Sequence, residues 1–325
     1  MIFLTCKETS RLAWGLFFFF YGLILDNNSL EIWKNDNNEI TKVIYMAKRN
    51  RAITSAVIEK RIQEGRGQGH GKDYKPWLTI RDIGSNGFST RIPGWTTGRL
   101  HHFLSELELN IYYLQDWSAK VVDIREQFPL PIEETLIISE RLGIKHPMVP
   151  KTQITVPMTT DFLIDVNENG KIISYARTAK YSNSGELENG RIAEKFDIER
   201  IYWTELGVDW GVITENDISE TVLQNIKWVY PARNLLEYPF LNPSLIIRIN
   251  GLFLKLAVNK GETLGQICDQ IDGELNLKTA TSITACRHLI ASRLWEVNME
   301  EPIDANKSLS IIKSTVDSST IEGIG

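Results

Sequence analysis

The chain has 325 residues, 42% of them hydrophobic and 24% charged, with a net charge of −5, which suits a globular protein of about two domains. Cys6, Cys268 and Cys286 have neither paired nor metal-type spacing, and five scattered histidines make no zinc motif, so a disulfide framework and a zinc module are both excluded. The net charge hides an asymmetry: Met46 to His102 holds eleven Lys or Arg against four Asp or Glu, a balance of +7, whereas residues 216–325 hold ten against thirteen, or −3. The first is a phosphate-binding footprint or a solvated basic face; the second is a poor nucleic-acid surface.

LAWGLFFFFYGLIL (12–25) is uncharged and apolar, but its 14 residues are short for a membrane span, and no small-residue cleavage pattern follows. The polar DNNSLEIWKNDNNE leads to MAKRN, which reads as a start, so residues 1–45 are expected to be a non-native upstream extension. ITSAVIEKRIQE (53–64) has helical spacing and stops at Gly65. GRGQGHGKDYKPW (65–77) is a basic, glycine-rich loop, and not a P-loop, because HGKDY stands where Gly-Lys-Ser/Thr is required. LTIRDI (78–83) and Thr90–Ile92 read as extended. SELELNIYYLQDW (105–117) reads as a helix capped by Ser105 with acidic residues in its first turn, and VVDIREQFPL (121–130) as a strand.

A loop region then precedes a hairpin, 159–166 and 171–180 about NENG, followed by a helix from about Arg191 to Gly207 and VDWGVIT (208–214) as a buried strand. This order predicts an α/β domain with a mixed sheet. Beyond residue 216, two amphipathic helices (262–273 and 278–293) and an extended LWEVNMEEPI (294–303) predict either a winged helix-turn-helix or a small helical adaptor.

The stretch TTDFLIDVNENGKIISYARTAK (159–180) carries the chemistry, with Asp161 on one strand and Lys180 ending the next. Phosphodiester hydrolysis needs an activated water, charge neutralisation on the phosphate and relief for the leaving oxygen, all of which Mg²⁺ held by carboxylates and carbonyls supplies. Side chains at i and i+2 share one face of a strand, and nuclease centres of this kind usually place a carboxylate two positions before the lysine. Here that position is Thr178, a weak neutral ligand. In this reading Asp161 bridges the metal, the Ala179 backbone carbonyl and Thr178 are further ligands, and Lys180 faces the scissile phosphate. The missing carboxylate comes from Glu108, with Glu106 as rival. The same spacing fits a plain surface hairpin, with Asp165 a turn-side carboxylate and Glu199 a solvated one. Trp77, Trp117, Trp203 and Trp210 are expected in the core.

The runs GRGQGHGKDYKPWLT (65–79), GRLHHFLSELEL (98–109), DIREQFPL (123–130), GIKHP (143–147) and TDFLID (160–165) resemble, densely and in order, the TnsA family of transposase endonuclease subunits. The resemblance implies a restriction-endonuclease-like catalytic domain, a mixed sheet flanked by helices, over 46–215, and a winged-helix-like partner- or DNA-binding domain over 216–325. It implies a Mg²⁺-dependent enzyme, with Mn²⁺ able to substitute, that cuts the 5′ ends of a transposon. A TnsB-type DDE transposase would cut the 3′ ends and a TnsC-type AAA+ ATPase would regulate both. Transposon-end double-stranded DNA is then the substrate, no membrane is involved, and the setting is cytoplasmic and nucleoid-associated.

The family's catalytic Glu, Asp and Lys fall on Glu108, Asp161 and Lys180. Its members commonly have Gln two places before the lysine, so an uncharged residue there is expected, although Thr178 is shorter. By the same resemblance Glu199 is an outer-shell carboxylate, and His101 and His102 are DNA-facing or structural. The basic amino-terminal half would grip DNA, and the carboxy-terminal domain would engage the ATPase. Two alternatives stay open: a stand-alone restriction or repair nuclease that cuts without partners, and a decayed, DNA-bound adaptor that binds no metal.

Overall fold

The computed structural model describes residues 53–82, 88–150, 152–185, 189–258 and 261–316 in full, and the backbone of 23–26, 29–36 and 39–46. Met1–Ala52 and Ile53–Gly325 are separate compact units. In the first, β1 (Leu23–Asp26), β2 (Ser29–Asp36) and β3 (Glu39–Met46) form an antiparallel sheet in that order. The expected start at Met46 falls on the last residue of β3, and residues 12–22 of the apolar run lie outside the described residues.

The second unit begins with α1 (Ser55–Gln63), whose N-cap Thr54 accepts from the Val57 N–H. A loop closed by a 3-10 turn (Gly71–Asp73) follows, then the hairpin of β4 (Thr90–Pro93) and β5 (Leu100–Phe103), and α2 (Glu106–Trp117). Ser105 caps α2 by accepting from the Glu108 N–H at 3.1 Å, and Leu107, Ile111 and Tyr112 bury its apolar face. β6 (Val121–Pro129), α3 (Ile132–Leu142), β7 (Thr159–Glu168), β8 (Lys171–Ala179), α4 (Gly190–Glu205) and β9 (Asp209–Ile213) complete the α/β part.

The central sheet has the order β6–β7–β8–β9, with the first three strands antiparallel and β9 parallel to β8. A two-residue turn joins β7 to β8, and both of its residues, Asn169 and Gly170, have positive φ, as an Asn-Gly hairpin turn requires. One sheet face, through Phe162 and Ile164, packs on Phe103, Leu107 and Ile111. The other, through Leu163 and Ala176, packs on Ile138, Ile198 and Trp203 of the α3–α4 side. This is a mixed sheet flanked by helices, as expected.

β6 lies at the sheet edge and the glycine-rich loop covers it. The Trp77 N–H donates to the Gln127 carbonyl at 3.2 Å, the Tyr74 hydroxyl to the Glu126 carbonyl at 3.0 Å, and the Gly71 N–H to Asp123 at 3.2 Å. Gly67 has φ +80° and lies so close to Pro129 that a Cβ would stand 2.2 Å from its Cγ. The segment expected to be extended at 78–83 instead turns as far as it is described: Asp82 accepts from the Thr79 N–H and hydroxyl, and also from Arg66. β9, expected to be buried, is a half-exposed edge strand.

Beyond it, α5 (Glu220–Val229), α6 (Pro243–Leu256), α7 (Leu264–Glu274) and α8 (Thr281–Ala291) surround a second core, to which Leu264, Ile271, Leu289 and Trp295 contribute. β10 (Trp295–Val297) and β11 (Ile311–Ser314) pair beside it as a small antiparallel ribbon. Cys268 and Cys286 meet here at 3.7 Å as free buried thiols. α8, the second helix of the expected pair, is buried along nearly its whole length, with only Ile283 and Arg287 partly exposed.

The two parts join at the end of α2. Asp116 accepts from the Trp95 and Thr96 N–H groups and from the Tyr230 hydroxyl at 2.7 Å, and Arg293 stacks on Trp117 while donating to its carbonyl. Among the described residues, no helix is long and apolar enough to cross a membrane.

Candidate active site

Asp161, Thr178 and Lys180 line one open cleft of about 420 Å³, together with Glu199, Lys195 and Phe196 from α4 and with Pro147, Pro157 and Met158. The hairpin register explains their meeting. Phe162 pairs with Arg177 and Leu163 with Ala176, so the same alternation carries Asp161, Thr178 and Lys180 to one face at the end of the sheet.

Asp161 is held at both oxygens: the Ala179 N–H donates to Oδ2 at 2.8 Å and the Gln127 side-chain amide to Oδ1 at 3.2 Å. Burial raises its pKa above the usual carboxylate value, against the opposing effect of Lys180 and of these hydrogen bonds.

Glu108 sits behind the cleft, buried at the start of α2. Its carboxylate accepts from the Ser105 hydroxyl at 2.9 Å and the Leu104 N–H at 3.1 Å. Burial, reinforced by the charge of Asp161, pushes its pKa up to about 8, and Lys180 pulls against that rise. Glu106, the rival donor, is exposed.

The Thr178 hydroxyl donates to Glu199 Oε1 at 2.6 Å, and the Thr160 hydroxyl donates to the same oxygen at 2.6 Å. Glu199 is therefore not solvated but buried beneath the cleft, and burial raises its pKa to about 7 despite these bonds. Thr160 also accepts from the Trp203 indole at 2.7 Å, so a chain of polar contacts runs from the core to the cleft floor.

His101 is fully buried and bonded to Glu126 and Thr97, hence structural, while His102 is half-buried. Glu126 also takes a bidentate pair from Arg99. Burial alone would raise its carboxyl, but His101 and Arg99 outweigh it and hold Glu126 well below the usual range. Trp77 and Trp203 are buried, as expected, while Trp117 and Trp210 are only partly so.

Asp165 is not a turn-side carboxylate. It accepts from Arg125 at 2.7 Å and from Ser174 at 2.6 Å. With Asp123 and the exposed His70 it forms a metal-like cluster whose ligand-type atoms lie within 4.8 Å of one another. Arg125 already supplies the positive charge there, so the cluster reads as a buried ion-pair network.

Reasoning from sequence missed Gln127, Thr160 and Lys195. The first two lie on segments read as strand or hairpin, and nothing in local periodicity marks a cross-strand partner. Lys195 follows Arg191 and precedes Glu199 by one turn each, so its helix face could have been read once Glu199 was placed.

A central mixed sheet flanked by helices fits a restriction-endonuclease-like fold. Residues 118–215 match the model of the TnsA-like endonuclease N terminal, and 217–299 that of the TnsA endonuclease C terminal. The chain is also 35% identical over 271 residues to "Transposon Tn7 transposition protein TnsA" of Escherichia coli, covering 83% of this chain and 96% of that protein. The chain belongs to the TnsA endonuclease family. The expectation of a nuclease drawn from the resemblance is thereby borne out.

Proposed function

We propose that the protein is the endonuclease subunit of a Tn7-like transposition system and cuts the 5′ strands at transposon ends with Mg²⁺, for which Mn²⁺ substitutes. The observation that carries this reading is that Asp161 and Lys180 share one cleft, with the Glu108 carboxyl buried behind it and close enough to feel the charges of both. The donor set suits a hard divalent cation: the described cleft lining offers carboxylate and hydroxyl oxygens and neither Cys nor His. Two neighbouring carboxyls whose proton affinity burial has raised also favour a cation as the compensating charge.

Glu108, Asp161 and the Ala179 carbonyl would hold the ion, and Thr178 would join them through the lone pair its bond to Glu199 leaves. Once bound, the ion supplies Lewis-acid charge and a site for the attacking water. The rest falls to the chain's own groups. Lys180 faces the scissile phosphate and stabilises charge developing on it, Asp161 is fixed by its two donors, and Lys195 of α4, in the same cleft, takes a flanking phosphate.

Double-stranded transposon-end DNA approaches the basic amino-terminal half, while a TnsB-type transposase and a TnsC-type ATPase complete the assembly. The carboxy-terminal helices and the β10–β11 ribbon support a winged-helix-like layout. With α8 buried, the second helix of the pair is not free to enter a groove, so this part is read as a protein-docking module.

The test is strand-specific cleavage of transposon-end DNA with the cognate transposase, the ATPase, Mg²⁺ and ATP. Asp161→Ala and Lys180→Ala should each lose 5′ cuts by at least about 100-fold while 3′ cuts persist. Unchanged 5′ cutting in both variants would move the centre elsewhere.

A further inference from the structure

We infer that Gln127 is a positioning residue of the centre, holding the Asp161 carboxylate in the orientation in which it takes the divalent ion; this rests on the reading of Asp161 given above. β6 pairs Glu126 with Phe162 and Phe128 with Thr160, so Gln127 lies directly across from Asp161, and the ladder lapses there as it does at Val122. There the backbone of Gln127 has φ +50°, a left-handed conformation in the middle of a strand.

A non-glycine residue is uncommon in such a conformation and persists where its surroundings over-determine it. The surroundings are visible. The Trp77 N–H anchors the Gln127 carbonyl at 3.2 Å, and the preceding residue, Glu126, is clamped by Arg99 and His101. The side chain is almost fully buried and spans two groups. Its Nε2 donates to Asp161 Oδ1 at 3.2 Å, and its Oε1 accepts from the Thr159 hydroxyl at 3.3 Å.

The Thr159 bond sets which end of the amide faces Asp161. With the Ala179 N–H on Oδ2, both carboxylate oxygens are then fixed and the group cannot rotate. A purely structural residue at this backbone geometry would be served better by glycine, and a purely space-filling one by an apolar side chain. The amide, a donor at one end and an acceptor at the other, meets both the carboxylate and the hydroxyl.

The experiment uses the full chain with Gln127→Ala, Gln127→Gly and, as reference, Asp161→Ala. Mg²⁺ binding is measured by calorimetry, and 5′-strand cleavage is measured against Mg²⁺ concentration in the assembled system. Both Gln127 variants should raise the Mg²⁺ dissociation constant and the half-saturating Mg²⁺ about 10- to 100-fold, as loss of a group that orients a ligand does. Excess Mg²⁺ should recover most of the maximal rate. Gln127→Gly should retain its melting temperature, because glycine adopts the left-handed conformation freely, so a weakened metal response in that variant cannot come from misfolding. If both Gln127 variants bind Mg²⁺ as the parent does while Asp161→Ala does not, Gln127 only fills space and the inference fails with the Asp161 reading intact. If Asp161→Ala itself binds Mg²⁺ and cuts normally, the reading beneath both is wrong.

Discussion

Glu108 shows what the site's residues give up in stability. A carboxyl whose folded-state pKa lies above its unfolded value binds its proton more tightly when folded, so stability declines as pH rises from the unfolded value to the folded one. For Glu108, raised from 4.5 to about 8, with Glu199 and Asp161 also raised, the window runs from about pH 4.5 to pH 8. Metal-free protein should therefore melt at a lower temperature at pH 8 than at pH 5.5, and Mg²⁺ should reduce the difference. Glu108→Gln should flatten the pH dependence and stabilise the metal-free protein by about 1–3 kcal/mol at pH 8 while abolishing cleavage, as calorimetry across pH would record. Sequence reading put Asp161, Lys180 and Glu108 in the candidate site and preferred Glu108 to the exposed Glu106. The Thr178–Glu199 bond and Gln127 were not legible, because each depends on which side chains two strands and a helix bring face to face rather than on spacing within one segment.

At the level of elements, legibility followed the strength of local signals. The β7–β8 hairpin announced itself through alternation and an Asn-Gly turn, and α2 through its serine cap and acidic first turn. α6 carries a contrary signal: PSLIIRINGLFLKL is rich in β-branched isoleucine and interrupted by Gly251. Its helix rests on the Asn242 cap, on Pro243 in the first turn, and on burial of Ile246, Ile249 and Phe253. α3 is of ordinary length but lies where sequence reading put a loop region, and α5 lies in a stretch left unassigned. The glycine-rich loop reads correctly as a loop, yet its seating on the edge of β6 is a long-range contact that composition cannot reveal. That seating makes a prediction. Gly67→Ala adds a Cβ at 2.2 Å from Pro129 and strains a φ of +80°, so it should cost about 1–3 kcal/mol in chemical denaturation. It should also loosen the loop from β6.

At the scale of the whole molecule, the parts matched at 118–215 and 217–299 meet at a well-bonded seam, where Ile226 and Tyr230 enter the core beneath α2. Tyr230 is central to it: its hydroxyl donates to Asp116 and lies 3.0 Å from the Pro93 carbonyl, and its ring stacks on Trp95 at 4.0 Å. Tyr230→Phe keeps the stacking and removes the bond to Asp116, so a loss of about 1–2 kcal/mol in thermal unfolding is expected, with metal binding unchanged. The same seam has a mechanical meaning. α2 is a rod of twelve residues, roughly 18 Å long. Its first turn carries Glu108, and its last turn is bolted through Asp116 and Trp117 to Tyr230 and Arg293 of the carboxy-terminal part. On the proposed function, a partner seated on those helices would grip the far end of the strut that carries Glu108, so that docking and cutting would be geared together and the blade would engage only once the hand is on the handle.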